Sequence, residues 1–564
     1  MIGSGLNKEI AKARLGLVPA ICLAFSLQAC VQASGGGPML SGREANLPLM
    51  IRTQQGMVRG AFSRASGVTV FKGIPFAQPP VGDLRWKEAQ APLPWQGVRD
   101  ASEWGDACVQ VSAPDRSPPN ITVDLPDSPP MSEDCLTLNV WTPADNVKDK
   151  LPVMVWVYGG AYTEGGGHSP YSEAHNLAAK GTVVVSFNYR LGPFGFFSHP
   201  ELSAENQLGT SGNQALSDAL AALDWVQANI EQFGGDPGNI TIFGQSAGAA
   251  VNAGLVGSPI ARGKFQRAIS QSGGWMGLGI GMMATRADAE TRTIDQAERL
   301  FGSTSLAALR ALPATEIQML RGAGMIVDGR IIPEDLSVTF LSGRQNAVDI
   351  LVGSNGDEGS FTTAMGPPMT LDAWMAGEQQ RWGGLVELGR TAYPATTDAG
   401  AIAQAAAPFS DALSWHMRLY AELQAEAGGN AYHYWFTHEP PYDPAKPDLG
   451  SAHTAELPYV FDYLSGPRVF PADSSIALMA GNPREEQFAD QVSQYWVNFA
   501  RTGNPNGEGL PYWHGVQELG PNQTMVLDAD GSGASAWLGA AKTALFQAQF
   551  NSRVVDPLGL AEVP

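Results

Sequence analysis

Asn239-Ile-Thr-Ile-Phe-Gly-Gln-Ser-Ala-Gly248 is the stretch on which the fold turns. Asn239 to Phe243 is a short apolar run rich in β-branched residues, the mark of a buried strand. It leads without a break into Gly244-Gln245-Ser246-Ala247-Gly248, a G-x-S-x-G pattern, and small residues from Ala247 to Val256 continue as a helix. In a chain with 65 glycines the pattern alone recurs by chance, so the flanking strand and helix carry the reading. A sharp strand-to-helix turn lifts a serine hydroxyl clear of the sheet. Small neighbours let backbones approach, and the helix amino terminus favours developing negative charge. Ser246 is therefore the candidate nucleophile, against the plainer alternative of a Gly-rich crossover with a capping serine.

Working outward, Leu151 to Val157 and Thr182 to Phe187 are apolar almost throughout, as strands buried on both faces are. Leu136-Thr-Leu-Asn-Val-Trp141 reads as a further strand. Leu216, Leu220, Leu223, Val226, Ile230 and Phe233 recur at spacings of three and four, which predicts one amphipathic helix. Phe488, Val492, Tyr495 and Phe499 predict another near the end of the chain. The alternation indicates an α/β architecture with a central, mostly parallel sheet flanked by helices. Alanine-rich helical segments at about 285–320 and 367–427 are expected as insertions that cover or flank a site.

The chain has 564 residues, 44% hydrophobic and 16% charged, and reads as a folded, loop-rich protein. Length alone would allow about four domains. With 35 basic against 55 acidic residues the net charge is −20, which argues against nucleic acid as a partner, since phosphate binding rests on Lys and Arg. No uninterrupted apolar run reaches the ~18 residues of a membrane span. At the amino terminus, Lys8, Lys12 and Arg14 precede a short apolar run, Leu15 to Leu27, so residues 1–29 read as a signal peptide. Leu27-Gln28-Ala29-Cys30 resembles a bacterial lipoprotein cleavage box with Cys30 lipidated, although Gln28 departs from the usual small residue. Ordinary cleavage after Val31-Gln32-Ala33 is the alternative. Residues 30–47, with Ser34-Gly-Gly-Gly-Pro38, read as a flexible tether, and 48–564 as the folded domain. The protein is thus expected outside the cytoplasm, in the cell envelope, periplasm or medium. Any membrane contact would come only through a lipid anchor. Cys108 and Cys135 are the cysteines left in the mature body, most simply one disulfide in an exported protein. A metal site is the poorer reading, because no His cluster or second Cys pair accompanies them.

Several longer stretches resemble the type-B carboxylesterase family, which includes cholinesterases and bacterial para-nitrobenzyl esterases. Phe233-Gly-Gly-Asp-Pro-Gly-Asn-Ile-Thr-Ile-Phe-Gly-Gln-Ser-Ala-Gly248 looks like its serine signature, and Glu133-Asp-Cys-Leu-Thr-Leu-Asn-Val-Trp141 like its second signature. Phe71-Lys-Gly-Ile-Pro-Phe-Ala-Gln-Pro-Pro-Val-Gly-Asp-Leu-Arg85, Asn188-Tyr-Arg190 and Tyr495-Trp-Val-Asn-Phe-Ala-Arg-Thr-Gly-Asn-Pro505 also look familial. The resemblance runs from about residue 50 to the carboxyl terminus. It implies one α/β-hydrolase domain with helical insertions around an active-site gorge, which overrides the expectation from length. It also implies a Cys108–Cys135 bridge and ion pairs Arg85–Glu133 and Arg190–Asp218.

By the same resemblance, the oxyanion donors are the backbone N–H groups of Gly160, Ala161 and Ala247. Tyr158-Gly159-Gly160-Ala161 leaves a buried strand, where glycine-rich backbone can aim N–H groups at developing charge. Chain order in this fold is serine, acid, histidine. Five histidines follow Ser246: His416 in a helical stretch, His433 and His438 in or beside a strand, His514, and His453 on the loop Leu449-Gly-Ser-Ala-His453. A loop on a rigid scaffold suits a base, and the family's histidine motif matches there, so His453 is the candidate. Thr454 stands where that motif often has glycine. For the acid, Val352-Gly-Ser-Asn-Gly-Asp-Glu-Gly359 offers Asp357 and Glu358, between which composition cannot choose. The family pattern selects Glu358.

These assignments imply serine esterase chemistry through an acyl-enzyme on small, uncharged esters, with no metal and no organic cofactor. Trp275 and Met276, with the run to Met283, are candidate pocket walls. An unperturbed imidazole would place the acidic limb of activity at about pH 6–7. The alternatives are a noncatalytic binding module on the same fold, or a hydrolase specialised for thioesters, amides or toxin esters.

Overall fold

The computed structural model describes residues 47–110, 129–169, 173–276, 281–364, 368–442, 448–465 and 479–560. The expected signal peptide, Cys30 and nearly all of the tether lie outside the described residues.

Strands with no polar face cannot lie on a surface, and here they fill the middle of one sheet. In chain order its strands are β1 Ala61–Ser63, β2 Val68–Pro75, β3 Thr137–Thr142, β4 Leu151–Val157, β5 Val183–Phe187 and β6 Gly235–Gln245. They continue as β7 Arg267–Gln271, β8 Asp349–Asn355, β9 Ala431–Phe436, β10 Gln523–Leu527 and β11 Gly533–Ala536. Spatial order is β11-β10-β9-β8-β7-β6-β4-β5-β3-β2-β1. The block from β10 to β5 is parallel throughout, and the pairings at its two margins are antiparallel. All of β5 and all but the first residue of β4 are buried, as their composition requires. The strand expected at Asn239 to Phe243 is longer than its apolar core: β6 starts at Gly235, and its register with β4 slips between Gly235 and Ile240.

Helices cover both faces. The stripe predicted over Leu216 to Phe233 is not one helix. It forms α1 Gln214–Asn229, followed by a tighter 3-10 turn, Ile230–Phe233. Gly234 at φ +79° ends that turn, and the tightening lets Phe233 stay buried against Phe71. Small residues make up most of α2 Ala247–Gly257, which is buried along its whole length and packs on β6 and β7. In the first insertion, α3 Arg286–Phe301 starts with a Thr285–Asp288 capping box and stops at Gly302. The second contains α4 Leu371–Trp382 and α5 Ala407–Glu426, the latter packed on β8 and β9. The predicted carboxyl-terminal stripe is the buried face of α6 Pro483–Thr502, capped by Asn482.

Both ion pairs and the disulfide form. Arg190 clamps Asp218 with Nε and Nη2 at 2.9 and 2.6 Å, and both residues are buried. Removing one partner of such a pair strands a charge, at about 3–5 kcal/mol. Arg85 grips Glu133 at 2.7 and 2.5 Å and donates to the carbonyls of Arg310 and Leu312, so it ties the disulfide region to the first insertion. Cys108 and Cys135 are bonded, with Cα atoms 5.0 Å apart. Among the described residues, no helix is long and apolar enough to cross a membrane.

Candidate active site

Ser246 stands between β6 and α2 at φ +55° and ψ −123°, a conformation that L residues hold only under constraint. The constraint comes from both sides. Its N–H donates to the Gln271 carbonyl at the end of β7, at 2.8 Å. The chain leaving β4 presses on the turn so closely that a Cβ at Gly248 would overlap the Val157 carbonyl oxygen. The small residues of the G-x-S-x-G pattern are therefore a packing requirement.

The Tyr158–Ala161 segment lies on the same turn. A Cβ at Gly159 would come within 3.1 Å of Ser246 Cβ. Gly160, Ala161 and Tyr162 follow at φ +114°, +51° and +63°, three successive residues in the left-handed half of the map. Their hydrogen bonds run inward, with Thr163 and Glu164 N–H both donating to the Gly160 carbonyl, at 2.9 and 3.1 Å. Among the described residues, none of the backbone hydrogen bonds outside regular elements is donated by Gly160 or Ala161. Ala247 opens α2, where a first-turn N–H has no helical acceptor. Beside Ser246, the Gly160, Ala161 and Ala247 amides thus carry no backbone hydrogen bond outside regular elements among the described residues.

His453 reaches the site from its loop, which is stapled to the loop after β8. Asp357 Oδ2 accepts from Ser451 N and Oγ at 3.0 and 3.1 Å, and Asn355 Nδ2 donates to the Ala452 carbonyl at 2.7 Å. Glu358 points the other way. It is fully buried, takes the Asn355 N–H on Oε1 at 2.8 Å, and accepts from His453 Nδ1 on Oε2. Of the two adjacent acids, then, Glu358 meets the imidazole, while Asp357 is exposed and holds the loop. The remaining histidines after Ser246 are engaged elsewhere: His433 with Thr524, His438 with Glu485 and His514 with Glu518, while His416 is buried against Trp275.

Burial pushes the His453 imidazole down, but the charge of Glu358, its hydrogen bond and the charge of Glu456 outweigh that and hold it above 6.5. The acidic limb expected from an unperturbed imidazole therefore moves upward. Glu456, which opens the apolar run after His453, has no role that the sequence assigns. It is fully buried, receives Gln271 Nε2 at 3.0 Å and Asn355 Nδ2 at 2.6 Å, and is raised above the usual carboxylate range by burial and by Glu358. A glutamate three residues after the histidine, inside an apolar run, was the available signal. Gln245, the neutral neighbour of Ser246 in the sequence, sets its Nε2 3.1 Å from His453 Nε2, a contact that the sequence does not announce.

Trp275 and Met276 are buried. Trp275 stacks on Phe340 at 4.2 Å and meets His416 and Tyr420 edge-on, with Nε1 bonded to Ser337. Two residues earlier, Gly273 lies directly on the Ser246 carbonyl. Residues 277–280 of the Met-rich run lie outside the described residues. Among the described residues, no cluster of three or more His, Cys, Asp or Glu is placed to hold a metal ion.

The sheet order, the strained serine turn at the end of a parallel strand and the flanking helices define an α/β-hydrolase. Solved structures agree: a para-nitrobenzyl esterase superposes with a TM-score of 0.73 at 30% identity, covering 88% of this chain and 99% of that one. A Geobacillus stearothermophilus carboxylesterase does so at 0.72 and 31%, covering 88% and 100%. The sequence profile of the Carboxylesterase family matches residues 48–381 and 391–549. Similar curated proteins include a fumonisin B1 esterase of Sphingopyxis macrogoltabida, 34% identical over 86% of this chain and 89% of the relative. The para-nitrobenzyl esterase of Bacillus subtilis is also 34% identical, over 85% and 95%. The chain belongs to the Carboxylesterase family and is a carboxylic-ester hydrolase.

Proposed function

We propose that Ser246, His453 and Glu358 form the catalytic triad of an esterase that turns over small, uncharged esters through an acyl-enzyme. The observation that carries this reading is the His453 Nδ1–Glu358 bond, which leaves Nε2 facing the Gln245–Ser246 turn. His453 takes the Ser246 proton as the oxygen attacks the ester carbonyl. The backbone N–H groups of Gly160, Ala161 and Ala247 receive the oxyanion, worth several kcal/mol in total at about 3 kcal/mol per donor. His453 then protonates the leaving alcohol, and water, deprotonated by the same ring, releases the acid. Trp275 and Met276 would wall the acyl side. A fluorophosphonate should label Ser246 alone, and Ser246→Ala should abolish ester turnover while leaving a folded protein. Turnover that survives the substitution would end the assignment.

A second reading, hydrolysis of a fumonisin-type ester, is favoured by the similarity to the fumonisin B1 esterase. An ester panel of varied acyl and alcohol size that includes fumonisin B1 decides between them by kcat/KM.

The leader reading extends the proposal to location. Residues 1–29 direct export, Cys30 carries lipid, residues 30–47 form the tether, and 48–564 act as one domain outside the cytoplasm. Labelled palmitate should enter the wild type and not Cys30→Ser, which should appear in the soluble fraction. Equal release of both would leave plain secretion.

A further inference from the structure

The nitrogen that must take the serine proton is already in contact with a second group. Gln245 is only 3% exposed, and its side-chain nitrogen lies 3.1 Å from His453 Nε2. Because His453 donates its Nδ1 proton to Glu358, the neutral ring carries a lone pair on Nε2, to which the NH₂ end of the amide donates and its oxygen cannot. The amide is pinned from behind, since a Cβ at Gly159 would sit 3.0 Å from Gln245 Oε1 and 2.7 Å from its carbonyl oxygen. One side chain thus spans the oxyanion loop and the base.

We propose that Gln245 is a positioning residue whose amide, bonded to His453 Nε2, holds the base neutral and oriented until Ser246 is engaged. The inference rests on the roles proposed above for Ser246 and His453. Donation to Nε2 stabilises the neutral imidazole and opposes the imidazolium, whose Nε2–H could not accept it. The charged groups facing the ring act in the opposite sense: Glu358 from the loop after β8, and Glu456 from the turn following the histidine. Asp357 is turned to Ser451. With two buried carboxylates favouring the charged ring, a neutral donor on its far side keeps the base available at lower pH.

The test is the acidic limb of kcat/KM for an uncharged aryl ester, which reports the base before substrate binds. Gln245→Met keeps the length and removes the donor, and its midpoint should rise by about half to one pH unit, the equivalent of one lost hydrogen bond. Gln245→Glu adds a third carboxylate and should raise it further. An unchanged midpoint in Gln245→Met, with or without a lower kcat at all pH, overturns the inference and marks the glutamine as packing alone. Ser246→Ala, run beside it, separates the two levels: if it retains turnover, the triad reading has failed and not only the role of Gln245. Should Gln245→Met not fold, ¹⁵N NMR of histidine-labelled wild type decides. A His453 Nε2 resonance at the position of an unbonded lone pair overturns the proposal, and one shifted as a hydrogen-bond acceptor, unchanged in Ser246→Ala, supports it.

Discussion

Two histidine–glutamate pairs lie buried beyond the carboxyl ends of neighbouring parallel strands, and they do different work. Glu358 follows β8 and holds His453 by Nδ1, with the other nitrogen turned to Gln245 and the serine turn. His438 follows β9 and sets Nε2 2.9 Å from Glu485 Oε2, with Nδ1 4.0 Å from Asp528. Tyr459 donates a second hydrogen bond to Glu485 at 2.5 Å, and the rings of Phe436, Tyr459 and Phe488 enclose the imidazole. Burial pushes the Glu485 carboxyl up, but the hydrogen bonds from His438 and Tyr459 and the charges of His438 and Arg484 hold it below the usual range. This second pair ties the first turn of α6 to the end of β9. A buried imidazole–carboxylate pair is therefore not in itself a site; what the second ring nitrogen faces separates a base from a strut.

Substitution separates the two imidazoles most clearly. Ser246→Ala and His453→Ala should each lower ester kcat by about 10⁴- to 10⁶-fold with a near-native melting temperature. His438→Ala should do the reverse, melting earlier while kcat below its transition stays near wild type. Loss of turnover in folded His438→Ala would erase the distinction.

The acids sharpen it next. Glu358→Gln should cost roughly 10⁴-fold in kcat, because the imidazole loses its tautomer and its counter-charge, whereas Asp357→Asn should cost much less. Glu485→Gln should spare kcat and lose about 1–3 kcal/mol of stability through the weakened buried bonds. The sign with pH follows from the depressed carboxyl. Its stabilisation is present above the unfolded value near 4.3 and is lost as pH falls through the lower folded value, so wild type and Glu485→Gln should converge in acid. Urea titrations from pH 7 to 3 measure this. A gap that stays constant would remove Glu485 from the account of acid stability.

Much of this was legible before the structure. The apolar runs at Leu151 to Val157 and Thr182 to Phe187 could only be central strands, and a strand–serine–small-helix pattern has few other outcomes. His453 could be preferred over His433 because loops reach and strands pack. Asp357 and Glu358 could not be separated by composition, since adjacent residues differ only in which way the turn faces them. Family resemblance chose Glu358, and the geometry places it on the imidazole. The contact of Gln245 with His453 spans 208 positions and depends on a side-chain direction that no periodicity encodes. The tightening of Ile230–Phe233 is hidden for a related reason: a spacing of three, such as Ile230 to Phe233, fits a 3-10 turn as well as the helix before it.

The oxyanion loop gives a smaller effect and a stricter test. Proline cannot remove the Ala161 N–H cleanly, because its ring fixes φ near −65° and Ala161 sits at +51°. Lactic acid at position 161, which exchanges that amide for an ester, removes the donor and keeps the conformation. Turnover should fall about 10²- to 10³-fold. The same exchange two residues on, at Thr163, removes the 2.9 Å bond to Gly160 and should cost far less. Equal losses would mean that both amides serve the loop's shape.

The smallest expected effect concerns the alcohol. Cation-binding esterase pockets need an aromatic cage or a negative charge beside the serine. Residues 109–134, enclosed by the disulfide, contain no Trp, Tyr or Phe, and the residue beside Ser246 is the neutral Gln245. Glu456 adds a further carboxylate that acts on His453, but it is fully buried, bound to two amides and raised above the usual carboxylate range. Without an aromatic cage a quaternary ammonium forgoes about 0.5–2 kcal/mol, up to roughly thirtyfold in affinity. The net charge of −20 works the other way by drawing cations to the surface, an attraction that fades beyond about 8 Å at physiological salt. Phe361 sets its ring 6.1 Å from that of His453, but one ring is not a cage, and the want of an aromatic in the disulfide loop should outweigh a screened field. At 0.15 M salt, kcat/KM for a neutral butyrate ester should therefore exceed that for butyrylcholine, and Gln245→Glu should narrow the gap by restoring a charge beside the serine. A preference for butyrylcholine that persists in high salt would place a cation site in the pocket that neither the disulfide loop nor Gln245 provides.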